Sequence, residues 1–235
     1  MKGKTALVTG GTRGIGFAIA EKLRDQHVEV IVTGTTADNH GPDGCEYRAI
    51  DFTDLPATKS FADDMAEMGI DILVNNAGIN VISPFAEIDL DDFLKIQQVN
   101  VTAPMLLCRA VIPAMKSKSW GRIVNISSIW GKIAKEQRGP YGASKFAIDG
   151  MTAALAAEVA KYGVLANCVS PGFIETDLTT QVLGEQGIRD IIKQVPVGRL
   201  GQPVEVAAFV GWLAGVENTF ISGQNIAIDG GFTRV

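Results

Sequence analysis

Short apolar runs alternate along this chain with longer segments in which apolar residues recur at helical spacing. Runs of about four to eight residues rich in Val, Ile and Leu are typical of strands buried on both faces of a parallel sheet. The longer segments have the spacing of helices that cover such a sheet. The pattern therefore predicts an α/β fold in which a doubly wound, seven-stranded parallel sheet carries helices on both faces.

The predicted elements follow this alternation. Strands are predicted near Thr5–Val8, Val28–Thr33, Glu46–Ile50, Asp71–Val74, Arg122–Ser127, Leu165–Val169 and Asn225–Ile228. Helices are predicted near Ile15–Asp25, Leu55–Met68, Leu90–Lys116, Tyr141–Lys161 and Val204–Ala214. The stretch from Pro171 to about Gln202 is rich in turn residues and weakly periodic, which indicates a lid or substrate loop. Because no linker or repeat breaks the alternation, residues 1–235 are predicted to form one domain.

Composition and charge narrow the class of protein. Hydrophobic residues make up 46% and charged residues 20%, the balance of a globular domain. The net charge of −5 gives no general attraction to nucleic acid or to anionic membranes, so neither is expected as a partner. The chain shows no apolar run of about 20 residues and no signal-peptide pattern, and a cytoplasmic protein is therefore expected.

Cysteine and histidine are too sparse to indicate a disulfide framework or a metal site. Cys45, Cys108 and Cys168 are widely spaced and odd in number, which favours reduced cysteines that pack in the interior. His27 and His40 have no Cys or His at the spacing of a metal-ligand pair. No metal is therefore expected among the cofactors.

A glycine-rich turn follows the first predicted strand and opens the first predicted helix. The segment Gly10–Gly16 reads Gly-Gly-Thr-Arg-Gly-Ile-Gly. Glycines permit a sharp turn and a close approach of the backbone, and the helix amino terminus offers unpaired N–H groups to a pyrophosphate. The segment therefore predicts the phosphate site of a Rossmann-type fold, and a tight turn without a ligand is the alternative. The predicted cofactor contacts are Gly10, Thr12, Arg13 and Ile15.

The end of the second predicted strand bears on the choice of dinucleotide. NAD enzymes commonly place a carboxylate here, which accepts a hydrogen bond from the ribose 2′-hydroxyl. This chain has Thr33–Thr36 instead, and the side chains of Thr35 and Arg13 are able to bind a 2′-phosphate. NADP is therefore predicted over NAD, although Asp38 lies close enough along the chain to keep NAD as the alternative.

Two further segments follow strands and are predicted to contact the cofactor. Asp51 and Phe52 follow the third strand, where they are expected over the adenine; a turn or helix cap is the alternative role for Asp51. Asn75–Gly78 follows the fourth strand, and its small and amide side chains suit a crowded crossing beside a cofactor. The predicted contacts there are Asn76, Ala77 and Gly78, although such turns also occur without a ligand.

Ser128, Tyr141 and Lys145 form the candidate catalytic group. Ser128 ends the fifth predicted strand, and Tyr141 and Lys145 stand at i and i+4 on one face at the start of a helix. An ammonium beside the phenol is expected to lower the pKa of Tyr141, so that this tyrosine exchanges a proton with the substrate while Ser128 holds the substrate oxygen. The alternative is that the tyrosine packs and the lysine is solvated.

Asn100 is a further candidate, because Pro104 lies at i+4 from it in a long helical pattern. Proline has no N–H to donate to the carbonyl at i−4, so a kink that frees the Asn100 carbonyl is predicted. We hypothesise that the freed carbonyl holds a water that passes protons between Lys145 and solvent. A kink that serves packing alone is the alternative.

Together these segments resemble the motifs of the short-chain dehydrogenase/reductase family over essentially the whole chain. They are Thr9–Gly16, Asn75–Gly78, Asn100, Ser128, Tyr141–Lys145 and Pro171-Gly172. The resemblance implies an NAD(P)-dependent oxidoreductase whose catalytic residues are Asn100, Ser128, Tyr141 and Lys145. It also implies that Tyr141 and Lys145 contact the cofactor, with Lys145 at the nicotinamide ribose. Further implied contacts at the nicotinamide are Pro171, Gly172, Ile174 and Thr176.

The resemblance extends to the level of assembly and substrate. The family's usual homotetramer is implied, with the two long predicted helices and the tail Asp229–Phe232 at its interfaces. Within the family the chain is similar to bacterial 3-oxoacyl-acyl-carrier-protein reductases, through Pro171–Asp177 and Gln194–Gly201. That similarity implies reduction of a ketone to a secondary alcohol with NADPH, most specifically of a 3-oxoacyl thioester on a carrier protein.

Basic residues near the site bear on the carrier-protein partner. Arg122 matches one basic position of the reductases, whereas Tyr162 stands where a second basic residue is expected. The loop before Tyr141 adds three cations that would face an acidic carrier protein or an anionic substrate, or are only solvated: Lys132, Lys135 and Arg138. The alternative functions are a dehydrogenase of a sugar, cyclitol or other secondary alcohol, and a nucleotide-sensing protein without catalysis.

Overall fold

A seven-stranded parallel sheet forms the centre of the protein, as the apolar pattern predicts. The computed structural model describes the backbone of residues 1–235 and all side chains except those of Leu178 and Val182. The strands are β1 (Thr5–Val8), β2 (Glu29–Gly34), β3 (Glu46–Ala49), β4 (Ile72–Asn75), β5 (Gly121–Ile126), β6 (Val164–Pro171) and β7 (Asn225–Ile228). Their order in the sheet is β3-β2-β1-β4-β5-β6-β7. The order in which strands are added to the sheet therefore reverses between β1 and β4. Ligands of such folds bind at this point.

Helices cover both faces of this sheet. They are α1 (Gly14–Asp25), α2 (Leu55–Glu67), α3 (Leu90–Gln97), α4 (Ala103–Ser117), α5 (Gly139–Val159), α6 (Asp177–Ile192) and α7 (Pro203–Leu213). One apolar layer joins α2, α4 and α5 to the sheet, and a second joins α1 and α7 to the other face. Strand β1 supplies Leu7 to the first layer and Ala6 and Val8 to the second, because successive side chains of a strand point to opposite faces.

The long helix predicted over Leu90–Lys116 is divided by a π-helical turn. Residues Gln98–Thr102 form this turn between α3 and α4, and the Ala103 amide donates to the Gln98 carbonyl across the wider ring. Pro104 lies at the start of α4, where its missing N–H takes a bond away from Asn100. The predicted interruption at Pro104 is therefore present, as a π turn.

The stretch that predicted only a turn-rich loop, Pro171 to about Gln202, contains the helix α6. Thr176 caps this helix, because its hydroxyl accepts a hydrogen bond from the Thr179 amide at 3.2 Å. Gly184 has a φ of 62° and interrupts the helix internally. Gly184 separates two short helical pieces, and this interruption weakens the helical periodicity of the sequence. The expectation of a loop was wrong for this reason.

The connection from β2 to β3 is short and carries no helix among the described residues 35–45. Gly41 lies so close to the sheet that a Cβ there would be 2.2 Å from the Val32 side chain. The Arg24 guanidinium of α1 donates to the Asp43 carbonyl at 2.8 Å and holds the connection against this face of the sheet.

In the described part of the chain, no helix is long and apolar enough to span a membrane.

Candidate active site

The glycine turn between β1 and α1 needs glycine at three positions. Gly10 and Gly14 have φ values of 65° and 56°, which favour glycine. At Gly16 a Cβ would lie 2.2 Å from the Gly10 carbonyl oxygen and 2.4 Å from the Asn76 side chain. The turn is therefore packed too closely for any side chain at Gly16.

Thr9 and Asn76 join the glycine turn to the segment after β4. The Thr9 hydroxyl accepts hydrogen bonds from the amides of Asn76 and Ala77 at 2.9 and 3.0 Å. The Asn76 side chain donates to the carbonyls of Thr9 and Gly10, both at 3.0 Å. The predicted cofactor residues Asn76, Ala77 and Gly10 are thus brought together by Thr9, which lies in the family motif but had no predicted role.

The amino terminus of α1 is open and carries positive potential. Arg13 is the N-cap residue and makes no capping hydrogen bond, and the first turn contains no acidic side chain. Thr12 lies beside the end of β2, because its methyl group would be 2.8 Å from a Cβ at Gly34. Thr35 follows β2 and is exposed, as are Arg13 and Asp38. Ile15, in the first turn of α1, packs partly against the apolar layer under β1.

Asp51 and Phe52, which predict adenine contacts, have structural partners of their own. The Asp51 carboxylate accepts a hydrogen bond from the Thr53 amide at 2.9 Å, and hydrogen bonding to Thr53 lowers the pKa of Asp51. Phe52 is buried, and its ring meets the Phe61 ring edge to face at 6.1 Å. The alternative turn role of Asp51 is thus present, and the Phe52 side chain points into the core.

Ser128, Tyr141 and Lys145 meet at the carboxyl end of β5. Ser128 follows this strand in extended conformation, and its hydroxyl accepts from the Trp130 amide at 3.2 Å. Tyr141 and Lys145 lie in the first turns of α5, and the Lys145 ammonium is 5.5 Å from the centre of the Tyr141 ring. That ammonium is buried and donates to the Ile126 carbonyl at 2.8 Å.

Burial controls the protonation of both groups. It lowers the pKa of Lys145 to about 8. It raises the pKa of Tyr141, and the Ser128 hydroxyl and the Arg138 charge act against this rise. The expectation that Lys145 lowers the pKa of Tyr141 below its usual value was wrong, because partial removal of the half-buried phenol from water is the largest effect. A phenol that keeps its proton is suited to act as an acid.

Asn100 lies on the π turn, and both the oxygen and the nitrogen of its side-chain amide have hydrogen-bond partners. The amide oxygen accepts from the Ile79 amide at 2.9 Å, and the amide nitrogen donates to the Ile79 carbonyl at 2.9 Å and the Ser144 hydroxyl at 3.0 Å. A Cβ at Gly78 would lie 3.4 Å from the Asn100 side chain and 3.6 Å from the Lys145 ammonium. Asn100 and Lys145 thus flank Gly78, which is consistent with their predicted proximity; the water between them stays a hypothesis.

A row of buried polar side chains ties α5 to the sheet below this site. Asn75, Asn125 and Cys168 are register partners on β4, β5 and β6. The Asn75 side chain donates to Asn125, which donates to the Thr152 hydroxyl of α5, both at 2.7 Å. The Cys168 thiol reaches the same hydroxyl at 3.2 Å. None of the motifs above predicts this row, although asparagine at matched ends of apolar strands was its available signal.

The segment after β6 closes the opposite side of the site. Pro171 ends β6, and the Gly172 amide donates to the Ile228 carbonyl at 2.9 Å. Ile174 is buried, and the Thr176 side chain is 3.4 Å from a Cβ placed at Gly14. The predicted residues therefore span from the end of β6 to the glycine turn. Beside them the rings of Trp130, Phe173 and Phe232 meet edge to face at 5.2 to 6.1 Å.

Arg122 does not face a partner, contrary to its expected role at the site entrance. The side chain is buried, and its guanidinium donates to the carbonyls of Gly121 and Asn218, both at 2.8 Å. It also stacks over the Trp120 ring at 4.7 Å. Arg122 holds chain segments together, and the match of residue type along the sequence carried no information on where the side chain points.

The glycine turn after β1 and the tyrosine and lysine at the start of α5 define a class of protein. The class is that of dinucleotide-binding oxidoreductases with a catalytic tyrosine and lysine. A family model described as Enoyl-(Acyl carrier protein) reductase matches residues 10–233. The 3-oxoacyl-[acyl-carrier-protein] reductase FabG of Vibrio cholerae serotype O1 is 38% identical over 246 residues, covering 100% of this chain and 99% of that protein. The chain belongs to the short-chain dehydrogenase/reductase family, as its motifs implied. It is an oxidoreductase that acts on CH–OH or C=O groups.

Solved structures give the same family with other substrates in their names. A structure described as an NAD(P) dependent gluconate 5-dehydrogenase from Beutenbergia cavernae with bound NADP has a TM-score of 0.93 at 32% identity, covering 100% of this chain and 98% of that one. The gluconate 5-dehydrogenase from Burkholderia cenocepacia, in complex with NADP and tartrate, has a TM-score of 0.91 at 28% identity, covering 100% and 97%. Both of these solved structures contain NADP, and their names differ in substrate from those of the 3-oxoacyl-[acyl-carrier-protein] reductases.

Proposed function

We propose that this protein reduces the ketone of a 3-oxoacyl thioester to a secondary alcohol with NADPH. The observation that carries the proposal is the meeting of Tyr141, Lys145 and Ser128 beside the glycine turn, across Gly78 and Asn76. Similarity to 3-oxoacyl-[acyl-carrier-protein] reductases over the whole chain supports the substrate class. We also propose that residues 1–235 form one domain and act in the cytoplasm.

The cofactor end fits NADP. The open amino terminus of α1 and the side-chain-free turn at Gly16 suit a pyrophosphate, and the end of β2 carries no carboxylate to repel a 2′-phosphate. NADP bound to the gluconate 5-dehydrogenase relative supports the choice. The residues proposed to hold the cofactor are Gly10, Thr12, Arg13, Ile15, Thr35, Asp51, Phe52 through its backbone, Asn76, Ala77, Gly78, Tyr141, Lys145, Pro171, Gly172, Ile174 and Thr176. When bound, NADPH supplies the hydride that reduces the carbonyl carbon.

The chain's own residues handle the proton. Ser128 donates a hydrogen bond to the ketone oxygen and orients it. Tyr141 gives its phenolic proton to that oxygen as negative charge develops there, and the raised pKa of Tyr141 keeps the proton in place until then. Lys145, with a pKa of about 8, is charged near neutral pH and stabilises the resulting phenolate. Asn100 holds the Ile79 backbone and Ser144 and thereby fixes the start of α5.

A homotetramer and a carrier-protein partner are parts of the same proposal. Exposed apolar side chains on α3, α4 and α5 support an interface there. They are Leu90, Leu94, Met105 and Phe146. Because Arg122 is buried, the proposed carrier-protein contact is the loop before Tyr141, where Lys132 and Lys135 are exposed. Light scattering of the purified protein measures the first part, and kinetics with carrier-bound against free thioester measure the second.

Substrate screening tests the proposed function. NADPH oxidation is followed with acetoacetyl-N-acetylcysteamine, 2-pentanone and 5-ketogluconate at equal concentrations, with Tyr141→Phe as the background control. The thioester is expected to be turned over fastest. Rapid turnover of the ketogluconate with none of the thioester would instead assign the sugar-acid dehydrogenase function of the structural relatives. Cofactor binding without turnover of any carbonyl would favour the non-catalytic alternative.

A further inference from the structure

Arg138 lies at the start of α5, beside the proposed site, and its side chain has no described partner. It is the N-cap residue of α5 and precedes Tyr141 by less than one turn. The loop that carries it is held in place, because the Ser83 amide donates to the Gln137 carbonyl at 3.2 Å and the Gly142 amide to the Arg138 carbonyl at 2.7 Å. The position of Arg138 is thus built into the fold.

The other two cations of this loop have described contacts. The Lys132 ammonium donates to the Asn225 carbonyl at 2.8 Å, and the Lys135 ammonium lies over the Trp130 ring at 5.5 Å from its centre. Among the side chains that the structure describes, Arg138 makes no ion pair and no hydrogen bond. Arg138 and Tyr141 lie within one turn at the start of α5, and the Arg138 charge acts to lower the pKa of Tyr141.

Folding stability alone does not account for an arginine here. The side chain is half-buried, and burial lowers the pKa of Arg138 because its charge is partly removed from water. The amino terminus of α5 carries positive potential, which repels a cation and favours Ser, Thr, Asp or Asn at the N-cap. A residue that breaks these local rules beside a reactive tyrosine marks a functional position.

We propose that Arg138 binds a second oxygen of the substrate, the acyl oxygen that lies beside the reacting ketone. In a 3-oxoacyl group this oxygen belongs to a carbonyl two carbons from the ketone, so one molecule places one oxygen at Tyr141 and the other at Arg138. A guanidinium donates several hydrogen bonds in one plane and holds a carboxylate oxygen more strongly than a neutral carbonyl oxygen. The thioester and the free 3-oxo acid are the two sources of this oxygen.

The inference rests on the proposed function and deepens it by naming a specificity-determining residue. Tyr141 and Ser128 recognise any ketone, because they contact only the reacting oxygen. Arg138 adds a requirement for a second oxygen at a set distance. A ketone without that oxygen, such as 2-pentanone, has nothing to offer the guanidinium.

The test compares Arg138→Met with the intact protein on three substrates: acetoacetyl-N-acetylcysteamine, acetoacetate and 2-pentanone. We expect kcat/KM to fall about 10- to 100-fold for the first two, mainly through KM, and to stay unchanged for 2-pentanone. Acetoacetate should show the larger fall because its oxygen is charged. An equal fall for all three substrates, or no fall for any, overturns the proposal.

Two further variants keep the test sharp. Lys59→Met removes an exposed charge on α2, away from the proposed site residues, and should leave all three substrates unchanged. Arg138→Lys keeps the charge, loses the planar donors and should fall between the intact protein and Arg138→Met. If the intact protein turns over acetoacetate but no thioester, the thioester function fails while the acetoacetate series still decides the role of Arg138.

The pH profile is a readout that a merely structural role would not move. Three groups face Tyr141. They are Ser128 at the end of β5, Lys145 in the next turn of α5, and Arg138 at the N-cap of α5. The Arg138 charge lowers the pKa of Tyr141, so its removal should raise that pKa further. The pH profile of tyrosinate absorbance, with that of Tyr141→Phe subtracted, should therefore move to higher pH in Arg138→Met and not in Lys59→Met, and an unmoved profile overturns the placement.

Discussion

Two helices begin beside the candidate site, and their beginnings differ in how they meet a ligand. Both α1 and α5 start after an arginine N-cap, Arg13 and Arg138, and neither arginine makes a capping hydrogen bond to its helix. At α1 the turn is built of glycines and offers mainly backbone groups. At α5 the first turns present Tyr141 and Lys145 as side chains. The proposed cofactor end therefore offers its ligand backbone groups, and the proposed substrate end offers side chains.

This difference sets what mutation can change at each end. Backbone N–H groups cannot be replaced by mutation, so the cofactor end varies only through its periphery, such as Arg13 and Thr35. Side chains at the amino terminus of α5 can be replaced one by one. Substrate range is therefore free to diverge on one fold, as in relatives named for 3-oxoacyl-[acyl-carrier-protein] and for gluconate.

The largest effect is expected at the side-chain end. Tyr141→Phe removes the proton donor and should lower kcat by about 10²- to 10⁴-fold. NADPH binding, measured by fluorescence titration, should remain nearly unchanged because the glycine turn is untouched. Residual turnover above about one tenth of that of the intact protein would show that Tyr141 is not the acid and would break the contrast between the two ends.

A second effect concerns the cost of burying Lys145. The pKa of Lys145 is about 8 against an ordinary value of 10.5, so the folded protein binds fewer protons than the unfolded chain between these pH values. The free energy of unfolding should therefore rise with pH through this window, by up to about 3 kcal/mol from this one group. Below pH 8 the buried charge destabilises the fold in full.

Urea unfolding at pH 7 and pH 10.5 measures this cost. Lys145→Met should be stabilised relative to the intact protein at pH 7, and the gain should shrink by pH 10.5. Lys135→Met, which alters an exposed lysine, is the matched control and should show no such pH dependence. A stability difference for Lys145→Met that is the same at both pH values would contradict the depressed pKa.

The smallest effect is expected at the periphery of the cofactor end. Arg13→Met should weaken NADPH binding about tenfold and leave NADH binding unchanged, because only the 2′-phosphate is proposed to meet this guanidinium. Titration with both dinucleotides measures the ratio. Equal weakening of both would assign Arg13 to the pyrophosphate instead, and would sharpen the contrast by removing side-chain recognition from this end.

Local patterns were enough to predict most of the fold. The strands and the helices α1, α2 and α7 appear close to their predicted bounds. Buried strands and amphipathic helices each have a characteristic spacing of apolar residues, which is visible in the sequence. The helix α6 was missed, since Gly184 interrupts its period. The π turn before α4 was foreseen only as a kink at Pro104, because proline predicts a lost bond but not which wider ring replaces it.

Near neighbours along the chain were enough to predict the succession of strands and helices, the glycine turn, and the pairing of Tyr141 with Lys145. The order of the strands in the sheet and the directions of long side chains came from the tertiary structure alone. It buried Arg122 among carbonyls, turned Lys145 toward Ile126, and kept Arg138 without a described partner. Those outcomes depend on residues far apart in sequence, which the fold alone brings within hydrogen-bonding distance.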